Sequence, residues 1–167
     1  METFLKNCTL LWLAGILGVL NVHAQSDPFE LIEVTVRPLN ISYVHAVIDE
    51  RMPETILELE NMAARYNITE SPVYDGKLDA YEVTFSQNNG SIIATYDQNG
   101  KIIHSIERFK DITLPAFIRN KIYENNLGWT IHSDMYLVSY NCNDRIKKMC
   151  KVQLRKDGKR KNIKISI

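Results

Sequence analysis

The sequence predicts an α+β fold in which two helices cover one face of a single antiparallel sheet. An amphipathic helical segment precedes a run of β-rich segments twice along the chain. Within each run the strands follow one another directly, with Asn99-Gly100 as a turn in the first run and Asp157-Gly158 in the second. Tight turns of this kind join antiparallel strands, whereas parallel strands need long crossovers. Two tandem repeats, about residues 39–109 and 110–167, are therefore expected to join into one sheet.

Residues 1–24 are predicted to be an export signal that does not belong to the fold. Leu10–Leu20 is an apolar run that is short for a membrane span. Val22-His23-Ala24 then carries the small residues of a cleavage site, so the mature chain would be a single domain, residues 25–167. An uncleaved N-terminal anchor is the alternative. Because Gln25 and not cysteine follows the cut, a lipid anchor is not expected, and the predicted location is the periplasm or the cell exterior.

Two short β-rich segments are predicted before the first helix. Leu31–Val36 is followed by Pro38, which has no N–H to donate to a ladder. Leu39–Tyr43 then alternates apolar and polar residues at the period of a strand. The first helix starts at Pro53, because a missing N–H costs nothing in the first turn.

This first helix is amphipathic, and its apolar residues are expected to face the sheet. The residues of the apolar face are Ile56, Leu59, Met62, Ala63 and Tyr66. Its glutamates, Glu54, Glu58 and Glu60, are predicted to lie on the solvated face. After a loop, three strands complete the repeat: Tyr81–Ser86, Ile92–Tyr96 and Ile102–Phe109.

The second repeat has the same order of elements. Thr113 is predicted to cap a helix whose first turn contains Leu114 and Pro115. The apolar stripe of that helix is Leu114, Phe117, Ile118 and Ile122. Its strands are predicted over Trp129–Tyr140, Met149–Arg155 and Asn162–Ile167.

Removal of the signal leaves the cysteine pair Cys142 and Cys150. Two cysteines so close in sequence predict a disulfide in an oxidising compartment. They flank residues 143–149, which are interpreted as a hairpin loop. Two independent, half-buried thiols are the alternative. A zinc site is not expected, because neither a second cysteine pair nor a nearby histidine completes four ligands.

The sequence lacks the common motifs of catalysis. It contains neither a Gly-x-Ser-x-Gly elbow nor a phosphate-binding glycine loop. His45, His104 and His132 are far apart in sequence, so no metal site is predicted. Adjacent acids such as Asp49-Glu50 are typical of a solvated face, whereas a catalytic pair needs a cleft. Neither a catalytic residue nor a cofactor is predicted, and the protein is not expected to be an enzyme.

The charge distribution suggests the main functional hypothesis. The formal net charge is zero, but Arg145–Lys164 contains ten Lys and Arg residues against Asp157 alone. In the last two strands aliphatic residues alternate with polar and cationic ones, so one sheet face would be buried and the other cationic. Lys151, Arg155 and Lys164 are the candidate contacts for an acidic partner. A solvated surface whose lysines discourage edge aggregation is the alternative.

The expected partner is an acidic envelope or secreted protein. Nucleic acid is not expected outside the cytosol, whereas peripheral contact with an anionic membrane surface or an envelope polyanion stays open. Trp129, Tyr136 and Tyr140 would anchor a protein partner if they are exposed.

A small-ligand carrier or a small enzyme is the second hypothesis. A curved sheet and its helices would then enclose a pocket lined by Tyr81, Phe85 and Tyr96. Ligand binding would stabilise such a protein against heat, whereas a binding module would respond to a protein partner. A scaffold component of a larger envelope assembly is the third hypothesis.

Several turn and core positions carry a family resemblance. They are Tyr96-Asp97-Gln98-Asn99-Gly100-Lys101, Glu107, Leu114-Pro115, Ile118 and Ile122. With these residues Tyr81–Ile118 resembles the exported PepSY-like proteins of Bacteroidetes, a group described as β-lactamase-inhibitor-like. The resemblance implies a tandem helix-and-sheet fold outside the cytosol, with no cofactor and no catalytic residue. Inhibition of an enzyme is implied only by analogy of fold, and the basic second hairpin and the cysteine pair depart from the family pattern.

Overall fold

The computed structural model describes residues 39–144 and 146–167. The predicted signal peptide, its cleavage after Ala24 and the predicted strand Leu31–Val36 lie outside the described residues. Among the residues that are described, no helix combines the length and the apolar character that a membrane span requires.

The described residues form helices and strands in a simple order. The helices are α1 (Ile41–Val47), α2 (Glu54–Arg65) and α3 (Ala116–Glu124), and a 3₁₀ turn covers Ile68–Glu70. The strands are β1 (Ala80–Gln87), β2 (Gly90–Asp97), β3 (Ile102–Lys110), β4 (Thr130–Asn141), β5 (Lys147–Lys156) and β6 (Lys159–Ser166).

The strands form one 6-stranded antiparallel sheet in the order β1-β2-β3-β4-β5-β6, which confirms the predicted α+β class. Tight turns explain this order, since Gly100 has φ 77° and Asp157 and Gly158 have φ 47° and 74°, as hairpin turns require. β3 and β4 pair across the boundary of the predicted repeats, with Phe109 opposite Tyr136. The joined sheet is therefore as predicted, while the division into two repeats stays a prediction.

One face of the sheet carries the core and the described helices. The Tyr96 hydroxyl on β2 donates to the Ala63 carbonyl on α2 at 2.7 Å. The Tyr43 ring on α1 packs edge-on against Tyr140 on β4, with centroids 5.4 Å apart. Ile118 of α3 belongs to the same buried cluster. The two predicted helices thus pack on one face together with α1, which was not predicted.

The predicted strand Leu39–Tyr43 is wrong, because helix α1 begins at Ile41. Tyr43 and Val47 stand four residues apart and are both buried, as neighbours on one helical face are. A segment this short cannot distinguish a strand from part of a helix by its polarity alone. Tertiary packing of Tyr43 against the sheet decides the conformation.

The structure reverses the predicted faces of two α2 residues. Glu60 is only 1% exposed, whereas Met62 is 53% exposed. Ile56, Glu60 and Ala63 follow one another at steps of four and three residues, so they form one stripe on the helix. That stripe faces the sheet and carries a glutamate into the core.

Helices α2 and α3 each begin directly after a proline. Pro53 and Pro115 are the N-cap residues, and neither end has a side-chain cap hydrogen bond. The predicted cap at Thr113 is therefore wrong. The prolines hold extended ψ values of 144° and 155°, so the chain turns into the helix only at the next residue.

Candidate functional site

The predicted contact residues lie on the open face, which is the sheet face opposite the described helices. Successive residues of a strand point to opposite faces. On β5, Val152 and Leu154 are buried in the core, whereas Lys151 and Arg155 are exposed. Lys164 on β6 stands directly opposite Lys151, which places both on the same face. The fold thus brings the three predicted cations together.

Cations stand opposite cations between β5 and β6. On the open face the pairs are Lys151–Lys164 and Arg155–Arg160, which we call the cationic ladder, whereas Lys156–Lys159 lies on the helix-covered face. Directly opposite residues have Cβ atoms about 5 Å apart, and like charges at this spacing destabilise a sheet. Within residues 39–144 and 146–167, no carboxylate forms an ion pair with a member of the ladder.

A shallow concavity of about 400 Å³ lies beside the ladder between β4, β5 and β6. Lys151, Lys164, Gln153 and Asn162 line it, Met135 contributes apolar surface, and Asp134 also belongs to the lining. The Gln153 Nε2 donates to Asn162 Oδ1 across the strands at 3.4 Å. Two ammonium groups beside amides and apolar surface suit a carboxylate side chain of a partner.

Apolar side chains continue the open face away from the ladder. Ile93 on β2 and Ile106 on β3 stand opposite one another and are 37% and 39% exposed. The same row continues through Ser139 on β4 to Lys147 on β5. The open face therefore carries an exposed apolar pair on β2 and β3 and the cationic ladder on β5 and β6.

Two of the three predicted aromatic anchors are not at the surface. Tyr136 is 0% exposed and Tyr140 is 5% exposed, so both belong to the core and the prediction is corrected for them. Strand alternation places them on the same face but does not reveal which face the helices cover. Trp129 is half-buried, and Lys161 Nζ lies 5.8 Å from its ring centroid.

The residues predicted to line a ligand pocket pack against other side chains instead. The Tyr66 ring packs against Phe85 and Tyr96, at centroid distances of 5.5 Å and 5.9 Å. The Tyr81 hydroxyl donates to the Asp75 carboxylate at 2.9 Å. These aromatic rings fill the layer between the sheet and α2.

The predicted disulfide is wrong, because Cys142 and Cys150 are free thiols. Cys150 stands opposite Tyr136 in the β4–β5 ladder, and Cys142 comes six residues after Tyr136. At about 3.3 Å per strand residue, the two Cα atoms are on the order of 20 Å apart. A disulfide requires a Cα separation of roughly 4.4–6.8 Å. The loop between the strands is also shorter than predicted, since β5 begins at Lys147.

Reducing agents are therefore expected to leave the melting temperature unchanged.

Cys142 is half-buried, whereas Cys150 is buried and its burial raises the pKa of its thiol to about 12. Alkylation of the folded protein should label Cys142 well before Cys150. Mass spectrometry of the labelled peptides measures both rates. Protection of both cysteines that disappears on reduction would contradict this expectation and restore the disulfide.

A buried carboxyl pair lies beneath the helices on the other face of the sheet. Glu60 on α2 is 1% exposed and Glu107 on β3 is 0% exposed. Glu107 Oε1 accepts hydrogen bonds from the Tyr43 hydroxyl at 2.8 Å and from Ser105 Oγ at 3.0 Å. The two carboxyl groups are neighbours in the core, and each affects the pKa of the other. The pair therefore connects α1, α2 and β3 inside an otherwise apolar core.

Burial raises the pKa of both carboxyl groups. For Glu60, burial and the neighbouring Glu107 carboxylate raise the pKa to about 9. Burial also raises the pKa of Glu107, although hydrogen bonds from Tyr43 and Ser105 oppose the rise. Glu60 is therefore the protonated member at neutral pH and donates toward Glu107. Closed off from solvent, the pair can hold a proton but cannot contact a substrate in this conformation.

Sequence periodicity contained an indication of this pair. Glu60 follows the buried Ile56 by four residues on α2, and Glu107 precedes the buried Phe109 by two residues on β3. Both spacings place the glutamate on the same face of its element as a buried residue. The general rule that glutamate is exposed conflicts with the pattern at these two positions, and here the pattern is correct.

The three histidines of the described residues do not form a cluster. His45 and His132 are exposed, and His104 is half-buried on β3. In the described part of the chain, no group of three His, Cys, Asp or Glu side chains is placed to hold a metal ion.

Comparison with known proteins identifies no family. No protein-family model matches the chain, and searches of curated proteins and of solved structures found no match. The resemblance of Tyr81–Ile118 to the PepSY-like proteins therefore stays a prediction.

Proposed function

We propose that the protein is an exported, non-enzymatic binding module whose open face holds an acidic segment of another envelope or secreted protein. The cationic ladder is the observation that carries this proposal. Its two cross-strand pairs each join two cations, and no carboxylate of the described residues neutralises them by an ion pair. A partner with carboxylates at matching positions would supply the missing charge.

The ladder has a cost that a surface needed only for solubility would not require. Directly opposite like charges weaken a sheet, with cross-strand terms of about 0.2–1 kcal/mol per pair. Acidic residues in place of Arg160 and Lys164 would convert two repulsive pairs into attractive ones without changing the pairing of the strands. Placing ligand carboxylates between the paired cations relieves the same repulsion on binding.

The shape and the apolar part of the open face favour a protein segment over other anionic partners. Ile93 and Ile106 offer exposed apolar surface that a simple polyanion would not cover. The concavity lined by Lys151 and Lys164 admits an inserted side chain, whereas a flat membrane surface cannot enter it. A segment with acidic and apolar side chains fits both features.

Charge reversal at the centre of the ladder tests the proposal. The probe is a fluorescein-labelled peptide of alternating glutamate and valine, and its binding is measured by fluorescence anisotropy at increasing salt. The Lys151→Glu/Lys164→Glu variant is expected to bind it at least about tenfold more weakly than the natural protein at low salt. Its affinity should also depend less steeply on salt, because fewer charges interact with the probe.

A matched control changes the net charge equally but leaves the ladder intact. Lys77 and Lys101 are exposed and lie near the β1–β3 end of the sheet, so Lys77→Glu/Lys101→Glu should bind like the natural protein. Equal loss in both variants would attribute binding to net charge alone and reject the ladder as a site. Tighter binding to polyglutamate or to anionic lipid vesicles than to the mixed peptide would assign the face to a polyanion or a membrane.

A further inference from the structure

We infer that Glu60 and Glu107 share one proton and that this proton clamps helices α1 and α2 onto the sheet as a pH-sensitive device. Loss of the proton in alkaline solution releases the two helices while the strands stay paired. The clamp lies on the helix-covered face, so it does not depend on the function proposed for the open face.

Three unpartnered buried atoms, one on each carboxyl group of the pair and one on Tyr136, indicate the shared proton. Glu60 Oε2, Glu107 Oε2 and the Tyr136 hydroxyl are buried without a hydrogen-bond partner. Ionised carboxylates only accept hydrogen bonds, so two of them facing each other cannot satisfy one another. One proton on Glu60 turns an acceptor into a donor and supplies the missing bond to Glu107. Without it, two buried negative charges would face each other at close range.

The contacts of the pair reach both helices. Glu60 belongs to α2, and the Tyr43 hydroxyl of α1 donates to Glu107 Oε1 at 2.8 Å. Both helices are therefore attached to β3 through one carboxyl group. Repulsion at Glu107 would weaken the attachment of α2 directly. It would also weaken that of α1, because the two helices pack against each other.

Charged and titratable groups surround the pair on every element packed against it. Lys148 on β5 donates to the Val47 carbonyl at 2.8 Å and lowers the pKa of both glutamates, but desolvation outweighs this effect.

The other groups are Asp49 after α1, Tyr43 on α1, Tyr96 on β2, Asp134 and Tyr136 on β4, and Cys150 on β5. Burial raises the pKa of the three tyrosines, and burial raises that of Asp134 to about 6. Between pH 7 and 9 the glutamate pair is therefore the group of this cluster that changes charge.

The direction of the pH effect follows from the raised pKa of Glu60. Its pKa is about 9 in the folded protein against an ordinary value of 4.5, so the closed state binds the proton more tightly than the open state. Closure of the helical layer is therefore strongest in acid, weakens as the pH rises above 4.5 and stops weakening above about 9. In that interval each pH unit raises the opening equilibrium constant about tenfold.

Native-state hydrogen exchange of the full chain tests the clamp at pH 7 and pH 9, after correction for intrinsic exchange rates. The opening constant of α1 and α2 amides is expected to rise about 50-fold, since Glu60 is half ionised in the closed state at pH 9, while β4 and β5 amides stay unchanged. In Glu60→Gln the amide donates to Glu107 without a titratable proton, so the rise should fall below about threefold. Glu58→Gln alters an exposed residue of the same helix and should behave like the natural protein.

Three results would overturn the clamp. The first is a constant opening equilibrium of α1 and α2 between pH 7 and 9, and the second is an undiminished rise in Glu60→Gln. The third is an equal rise in β4 and β5, which would mean global unfolding instead of release of the helices. If Glu60→Gln does not fold, Glu107→Gln provides the comparison. Its amide oxygen still accepts from Tyr43 while its nitrogen donates to Glu60.

Discussion

Replacing Glu107 by alanine is expected to lower the free energy of unfolding by about 3–5 kcal/mol at pH 7. The change removes the acceptor of both the Tyr43 hydroxyl and Ser105 Oγ, and all three residues are buried. It also leaves the Glu60 carboxyl without its hydrogen-bonding neighbour and opens a cavity at the centre of the sheet. Several buried polar groups thus lose partners through one substitution.

Urea denaturation followed by Trp129 fluorescence measures this loss. Glu107→Gln is the matched control, because it keeps an oxygen for Tyr43 and Ser105 and gains an N–H donor toward Glu60. It should lose less than about half of what the alanine variant loses. Equal losses in the two variants would show that the carboxyl group contributes volume and not hydrogen bonds.

Asn40→Ala is expected to lower the free energy of unfolding by about 2–4 kcal/mol, since it removes several buried hydrogen bonds at once. Asn40 is 4% exposed, and its Oδ1 accepts from the Ile102 N–H at 2.6 Å. Its Nδ2 donates to the carbonyls of Ala64 and Gly100, each at 3.3 Å. One side chain therefore ties the start of α1 to the end of α2 and to the β2–β3 turn.

The Asn40→Asp variant separates the donor from the acceptor role. A carboxylate still accepts from the Ile102 N–H, but its second oxygen faces two carbonyl oxygens to which it cannot donate. The free energy of unfolding of Asn40→Asp should therefore fall at least as far as that of Asn40→Ala. Asn125→Ala removes an exposed asparagine and should change stability by less than about 0.5 kcal/mol. Thermal and urea denaturation at pH 7 compare the variants, and full stability of Asn40→Asp would contradict the donor role.

Strands and turns were the most predictable parts of this fold, because their patterns are local. Ile92–Tyr96 was predicted within the observed strand Gly90–Asp97, and Ile102–Phe109 within Ile102–Lys110. Positive φ at Gly100 and at Asp157-Gly158 follows from residue types that tolerate it. In contrast, helix α1 depends on a contact between Tyr43 and residues that are distant in sequence, so no local pattern predicted it.

In the candidate site, too, the features that depend on local patterns were predictable and those that depend on long-range packing were not. Period-two alternation along β5 and β6 correctly placed Lys151, Arg155 and Lys164 on one face. Whether Tyr136 points inward depends on which face the helices cover, and that is decided by long-range packing. The distance between Cys142 and Cys150 depends on the β4–β5 register, which closeness in sequence cannot provide.

The sequence by itself determined the α+β class, the antiparallel strand order and the alternation that makes one strand face cationic. These follow from turn residues and from the periods of strands and helices, which act over a few neighbouring residues. Only the tertiary structure decided which face of the sheet the helices cover, and that Glu60 and Glu107 are neighbours in the core. Both depend on helix placement, which brings together residues that are far apart in the chain.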